Sequence, residues 1–206
     1  MYYLKKLSLV FLGAAIVLVL YFAGRVERTH PDEYSIEFDS LVSQPDEVTC
    51  GPTSAAMILQ HYGKGVSVEE VAGHAKTHWF RYRNKPIGMT SPDYLCVAMQ
   101  RYLSVELKYG NVDVLKHYVA QGRPCIVNVR SGSDSWHYIV VYGFTQEKIK
   151  FADPGGGVLR EMDIITFDRC WGWTHDMNGT ECSRTLCTLL RCAEVYPYSF
   201  IVPDSP

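Results

Sequence analysis

The spacing of apolar and polar residues predicts a chain whose first half is mainly helical and whose second half is mainly strand. Apolar and small residues follow Cys50 as far as Leu59, and later segments join a polar cap residue to an apolar stripe. The predicted helices begin near Cys50, Ser67, Ser91 and Val112. Segments rich in β-branched and aromatic residues are predicted strands at 105–109, 124–130, 136–144 and 148–153. We therefore expect an α+β fold, with helices from the first half packed on an antiparallel sheet from the second.

The N-terminal segment contains a separate apolar run. Residues Leu7 to Ala23 carry no charge, follow Lys5 and Lys6, and precede Arg25. As a helix this run is just long enough to cross a bilayer, and the lysine pair favours a cytoplasmic N-terminus. A cleaved signal peptide is the alternative, although Tyr21 stands where a cut after Ala23 would need a small residue. The predicted order is a signal anchor or signal peptide at 1–24, a juxtamembrane linker at 25–34 and one domain at 35–206. We expect this domain to be membrane-anchored on the extracytoplasmic side, or secreted after cleavage.

Cys50 stands where a predicted helix begins. Pro52 suits the first turn, in which its missing N–H costs nothing, and Gly63 suits the left-handed position after the helix. The unpaired N–H groups and the positive dipole end of a helix N-terminus favour a thiolate over a thiol. Six residues upstream, Gln44 has a side-chain amide that can donate to an oxyanion formed beside the sulfur. This pattern indicates a cysteine nucleophile.

A base and an orienting acid for this nucleophile follow far downstream. His137 lies at the start of one predicted strand, and Asp153 ends the next, before a Pro-Gly turn. The short connection at 145–147 predicts a hairpin, which would bring both residues to the same edge of the sheet. Asn128, on the preceding strand, is an alternative orienting residue. The three positions Cys50, His137 and Asp153 therefore form a candidate triad.

These residues also carry a family resemblance. The order glutamine, cysteine, histidine, aspartate resembles that of papain-like cysteine peptidases. The segments TCGPTSAAMIL, WHYIVVYGF and DPGGG resemble the peptidases that remove double-glycine leaders from bacteriocins, and most of all their stand-alone relatives. The resemblance implies a papain-like fold in which Gln44 is the oxyanion donor, Cys50 the nucleophile, His137 the base and Asp153 the orienting acid. No transporter or ATPase module follows the motifs, so we do not expect the double-glycine substrate to carry over.

The resemblance implies a thiol-dependent peptidase that cleaves amide bonds in a peptide or protein through a thioester, with no cofactor and no metal. A transglutaminase-like or other acyltransferase on the same triad is one alternative. A non-catalytic, membrane-tethered peptide-binding module is another. The net charge of −2, from 20 basic and 22 acidic residues, gives no electrostatic case for nucleic acid, and no nucleotide motif is present.

The other cysteines predict cross-links. Setting Cys50 aside leaves an even number, which in an exported domain indicates disulfides: Cys96, Cys125, Cys170, Cys182, Cys187 and Cys192. Cys125 is the expected exception, because a cysteine on a buried strand can simply be packed. Zinc is the weaker interpretation, since the spacing contains no CxxC pair. Residues from about 163 to 206 are predicted to form a cysteine-rich C-terminal extension, with a short helix at 163–170.

Three further segments are not assigned to the candidate catalytic site. Asp46 and Glu47 are predicted to be solvated loop acids rather than parts of the catalytic machinery. The aromatic and basic stretch at 79–85 is predicted to be either a substrate contact or a loop that packs over the core. His74 and His78 are four residues apart and would share a helix face, but no third metal ligand stands near them.

Overall fold

The computed structural model describes residues 30–82, 85–132, 135–175, 177 and 197–205. The helices are α1 (Cys50–His61), α2 (Val68–His74), α3 (Pro92–Met99), α4 (Val112–Ala120) and α5 (Ile164–Trp171). The strands of the first half are β1 (Tyr34–Ser35), β2 (His78–Tyr82), β3 (Lys85–Met89) and β4 (Val105–Tyr109). Those of the second half are β5 (Cys125–Gly132), β6 (Ser135–Phe144), β7 (Lys148–Asp153), β8 (Val158–Asp163) and β9 (Ser199–Pro203).

The strands form one main antiparallel sheet and a separate hairpin. The order in the main sheet is β4, β9, β5, β6, β7, β8, and β1 pairs with β6. Each described pair in this sheet is antiparallel. Strands β2 and β3 pair with each other away from the main sheet. The predicted α+β class with an antiparallel sheet is therefore confirmed.

Strand β6 is buried on both faces. Tyr138 and Val140 belong to a core cluster that includes the apolar residues of α1 and α3. The alternate residues Ile139 and Val141 belong to a second cluster, which includes residues of α4 and α5. Burial on two faces explains why β6 has a continuous apolar run instead of a strict alternation of apolar and polar residues.

The C-terminal residues contribute to the main sheet. Strand β9 lies between β4 and β5, and its residues are buried. Helix α5, predicted as a short helix at 163–170, packs in the second core cluster through Phe167 and Trp171. Part of the predicted extension is therefore built into the central domain. Cys182, Cys187 and Cys192 lie outside the described residues.

Two segments form strands where the sequence predicted none. Strand β8 was not predicted, because it is an edge strand whose residues are mostly exposed and therefore lack an apolar signature. The segment at 79–85 was predicted to be a loop, but its described residues, 79–82 and 85, belong to the paired strands β2 and β3. His74 ends α2 and His78 begins β2, so the two histidines do not share a helix. No group of three possible metal ligands occurs within the described residues.

The predicted pairing of six cysteines is wrong for Cys96, whereas Cys125 is the exception that was expected. Both are buried free thiols, and they belong to different core clusters. The Cys96 sulfur faces the Val105 carbonyl at 3.9 Å, and that of Cys125 donates to the Arg123 carbonyl at 3.4 Å. Burial raises the pKa of Cys96 to about 11 and that of Cys125 further. Cys125 is thus packed in the second core cluster, as we predicted from its position on a buried strand.

No helix among the described residues has the length and apolar character of a membrane span. The apolar run at Leu7 to Ala23 lies outside those residues. Its assignment as an anchor or a signal peptide therefore stays a prediction.

Candidate active site

Helix α1 begins at Cys50, at the end of a loop that Asp46 organises. One carboxylate oxygen of Asp46, Oδ1, accepts hydrogen bonds from the backbone N–H groups of Val48 and Thr49, at 2.9 and 3.0 Å. The same oxygen accepts a bond from the Thr49 hydroxyl at 3.0 Å. Asp46 is exposed, as predicted, yet it also fixes the backbone that leads into Cys50. The helix ends as predicted, with Gly63 at a φ of 70°.

Gly51 allows this helix to approach the strand that carries His137. A Cβ atom at Gly51 would lie 3.1 Å from Cδ2 of the Tyr138 ring, closer than ordinary van der Waals contact. Tyr138 is itself fixed, because it is buried and its hydroxyl donates to the Thr90 carbonyl at 2.7 Å. The residue after Cys50 therefore packs on the residue after His137, and this contact sets the separation of the two candidate catalytic groups.

His137 and Asp153 form a direct hydrogen bond, as the hairpin predicted. Nε2 of His137 lies 2.7 Å from Oδ1 of Asp153. In the register of β6 and β7, Val140 pairs with Ala152, so the next pair along places Asp153 across from Ile139 and diagonal to His137. The two side chains are 17% and 10% exposed. The pair is therefore accessible at one edge but largely shielded from water.

His137 also interacts with Cys50. Burial lowers the pKa of His137, but hydrogen bonds to Asp153 and Cys50, together with the negative charges of both groups, raise it to about 9. Because Nε2 faces Asp153, the other ring nitrogen, Nδ1, is the one left for Cys50. The imidazole thus interacts with a carboxylate and a sulfur, and its protonated form is favoured at neutral pH.

The Asp153 carboxylate has two partners besides His137. Its Oδ1 also accepts the Gly155 N–H at 2.8 Å, and its Oδ2 lies 2.9 Å from Nε of Arg160. Burial alone would raise the pKa of Asp153, yet the hydrogen bond and the charge of His137, with smaller contributions from Gly155 and Arg160, lower it. Sequence reasoning missed Arg160, because only the register of β8 shows that this residue faces the site.

Asn128, the alternative orienting residue, is directed elsewhere. Its backbone carbonyl accepts a hydrogen bond from Nε1 of Trp173 at 3.2 Å. The Oδ1 atom of its side chain is buried and has no hydrogen-bond partner within the described residues. The structure therefore brings Asp153, and not Asn128, to His137.

Gln44 lies in a loop that is fastened to the turn after Asp153. Its backbone N–H donates to the Pro154 carbonyl at 2.8 Å, and Gly157 packs directly on Ser43. Its side-chain Nε2 donates to the Asp46 carbonyl, which uses one of the two amide hydrogens. Its Oε1 is buried and has no hydrogen-bond partner within the described residues. The Gln44 loop and the Asp153 turn thus form one connected part of the site.

A model of the Peptidase_C39 like family matches residues 39–177, about two thirds of the chain. The chain belongs to this family. The matched segment contains Gln44, Cys50, His137 and Asp153. A curated relative, the Lactococcin-G-processing and transport ATP-binding protein LagD of Lactococcus lactis, is 25% identical over 138 residues. That alignment covers 64% of this chain and 17% of the relative, so the chain spans less than a fifth of its length.

Solved structures of C39-type peptidases share the fold of this family member. A C39-like peptidase from Bacillus anthracis superposes with a TM-score of 0.61 at 16% identity, over 84% of this chain and 98% of the other. The peptidase domain of Streptococcus ComA gives a TM-score of 0.55 at 20% identity, over 81% and 98% of the two chains. A double glycine motif protease from an AMS/PCAT transporter, solved with a leader peptide, gives 0.51 at 19% identity, over 79% and 89%.

Proposed function

We propose that the protein is a cysteine peptidase that hydrolyses amide bonds in a peptide or protein substrate. The observation that carries the proposal is the connected series of Cys50, His137 and Asp153. The imidazole is engaged by the sulfur on one side and, at 2.7 Å, by the carboxylate on the other. Membership of a peptidase family supports the same reaction class.

In the first half-reaction, the sulfur of Cys50 acts as a thiolate paired with protonated His137. The sulfur attacks the carbonyl carbon of the scissile amide, and a tetrahedral intermediate forms. His137 then donates its proton to the nitrogen as the C–N bond breaks, so the amine leaves neutral. Asp153 keeps the imidazole oriented and stabilises its positive charge during this step.

The oxyanion of the intermediate has two proposed donors. One is the backbone N–H of Cys50, which at the start of α1 has no acceptor within the helix. The other is the second N–H of the Gln44 amide, since the first is used by the Asp46 carbonyl. Donors placed where negative charge develops lower the barrier more than they stabilise the bound substrate.

In the second half-reaction, water attacks the thioester carbonyl. His137, now neutral, accepts a proton from this water, and the carboxylic acid product leaves as the C–S bond breaks. Cys50 returns to the thiolate form paired with protonated His137. Each step uses groups of this chain and water, so the proposed reaction needs no cofactor.

Peptides are the proposed substrate class. One solved structure with this fold is a double glycine motif protease in complex with a leader peptide, and LagD is named a processing protein. These relatives support a peptide substrate, and the residues around the cleaved bond are a matter for experiment. Peptides with and without a Gly-Gly pair at that bond are therefore separate arms of the test.

The test is cleavage of a peptide library by the wild type and by Cys50→Ala, with Cys96→Ala as the matched control. Cys96 is a buried thiol outside the site, so its variant should retain cleavage, whereas Cys50→Ala should lose it. Turnover by Cys50→Ala at the wild-type rate would refute the proposal. An added amine acceptor that captures most of the product would identify an acyltransferase. Binding without cleavage in the wild type would identify a peptide-binding module.

We also propose that the apolar run at Leu7 to Ala23 anchors the protein with its catalytic domain on the extracytoplasmic side. The uncharged run and the preceding lysine pair support this orientation. Protease added to spheroplasts should digest the domain. Protection that persists until the membrane is permeabilised would overturn the proposal, and a mature N-terminus near Gly24 would identify the secreted form.

A further inference from the structure

Both carboxylate oxygens of Asp153 are occupied, and they are held from different directions. Oδ1 lies 2.7 Å from Nε2 of His137 and accepts a hydrogen bond from the Gly155 N–H at 2.8 Å. Oδ2 is held by Nε of Arg160 at 2.9 Å. Because the first two donors share one oxygen, they leave the carboxylate able to pivot about it. The Arg160 contact on the second oxygen fixes the plane of the group.

Strand pairing places Arg160 for this contact. In the register of β7 and β8, Phe151 pairs with Arg160 and Asp153 pairs with Val158. Arg160 is therefore diagonal to Asp153 on the same face of the sheet, within reach of a long side chain. Since β8 is an edge strand, the arginine approaches from the open side of the sheet.

We infer that Arg160 is a positioning residue, which holds the Asp153 carboxylate in the orientation that His137 needs. The inference deepens the proposed peptidase function and rests on it for its kinetic consequences. Arg160 acts through Asp153, so it is expected to affect the rate of the chemical steps rather than substrate binding.

Two effects of Arg160 oppose each other at His137. The charge of the guanidinium repels protonated His137, whereas its hydrogen bond keeps Asp153 aimed at the imidazole. The Arg160 side chain is 54% exposed, so solvent screens its charge, and the directional bond should be the larger effect. The groups that act on His137 are Cys50 from α1 and Asp153 from β7, and those that act on Asp153 include His137 and Arg160.

The test compares Arg160→Met with Lys148→Met. Lys148 forms an ion pair with Glu161 at 2.8 Å on the same two strands, and its side chain is 53% exposed. Each variant removes one cation and one ion pair from the β7–β8 edge, but only Arg160→Met changes a contact to Asp153. Thermal unfolding of both variants shows whether the edge remains folded.

We expect Arg160→Met to lower kcat roughly tenfold, as misplacement of a catalytic group does, with KM nearly unchanged. The high-pH limb of the rate profile should move to lower pH, because a weaker hydrogen bond to Asp153 lowers the pKa of His137. An NMR titration of His137 should show its midpoint shifted in the same direction. Lys148→Met should match the wild type in all three measurements.

Three results would overturn the inference. They are an unchanged kcat, an equal loss in Lys148→Met, and a shift of the His137 titration to higher pH. The last result would mean that Arg160 acts through its charge alone. The NMR titration needs no turnover, so a wild type that cleaves no peptide would defeat the peptidase proposal while the role of Arg160 is still tested.

Discussion

His137 is the residue on which the proposed chemistry depends, because it is hydrogen-bonded to Asp153 and interacts with Cys50. Its pKa of about 9 means that the imidazole is mostly protonated at neutral pH, despite a burial that opposes charge. A protonated histidine beside Cys50 can stabilise a thiolate before substrate binds and then donate a proton to the leaving amine. Asp153, whose pKa is lowered by the same contact, remains ionised in this range.

The His137–Asp153 pair should make stability depend on pH. The folded-state pKa of His137, about 9, lies above the ordinary value of 6.5, so its stabilising contribution is complete below pH 6.5 and lost as pH rises to 9. The lowered pKa of Asp153 has the opposite sign, and its contribution is lost only in acid. Urea unfolding should therefore show a wild-type advantage over His137→Gln at pH 6 that shrinks by pH 9.5. A constant difference between the two proteins would contradict this linkage.

The residues that could be predicted from the sequence are those with a local signature. Cys50 begins a helix, and His137 and Asp153 lie at the ends of two strands joined by a short turn. Arg160 and Tyr138 could not be predicted in this way, because their roles depend on strand register and on the packing of α1 against β6. Asp46 was predictable as a loop residue, but the three bonds accepted by its Oδ1 are visible only in the folded loop.

Among the elements, two loops set the edge of the site. The loop with Gln44 is bonded to the Pro154 carbonyl, and Gly157 packs against the backbone of Ser43. Gly157 has a φ of 63°, a conformation that side-chain-bearing residues rarely adopt. The two loops therefore approach each other closely at a position where glycine meets both a steric and a conformational requirement.

Gly157→Ala should damage both stability and activity. Its Cβ would lie 2.9 Å from the Ser43 backbone nitrogen, and with the positive φ we expect a loss of about 1–3 kcal/mol in the free energy of unfolding. Displacement of the Gln44 loop should also lower kcat. Gly65→Ala is the matched control, since a Cβ at that position meets no atom within 4 Å. Equal unfolding free energies for Gly157→Ala and the wild type would contradict the proposed close contact.

The elements that could be predicted from the sequence have apolar periodicity or a cap. Helix α4 starts after Asn111, whose side chain accepts the Val114 N–H, and β4 has the predicted bounds. Strand β8 lacks such a signal because most of its residues are exposed to solvent. Strand β9 is apolar but short, and only its pairing with two distant strands gives it a place in the sheet.

At the scale of the whole molecule, the C-terminal segment completes the sheet. Strand β9 pairs with β4 on one side and β5 on the other, and Phe200, Ile201 and Val202 are nearly inaccessible to solvent. Without β9, β4 would lose its partner and β5 would become an edge strand with an exposed apolar surface. Strand β6, which carries His137, is the next strand in the sheet.

A chain shortened to end at Met177 should therefore fail to fold cooperatively. The expected result is loss of the thermal unfolding transition seen by circular dichroism, because the sheet is interrupted and its core is opened. Removal of Pro206 alone is the control and should leave the transition unchanged. A shortened chain with the wild-type melting temperature would show that β9 is dispensable.

Alkylation of Cys50 tests, without any substrate, whether His137 activates this thiol. Iodoacetamide is added to the folded protein at pH 6, and peptide mapping follows the label at each cysteine. Cys96 and Cys125 serve as internal controls, because they are buried and their raised pKa values keep them unreactive. We expect Cys50 to react at least about tenfold faster in the wild type than in His137→Ala, which lacks the paired imidazolium. Equal rates at Cys50 in the two proteins would contradict this activation.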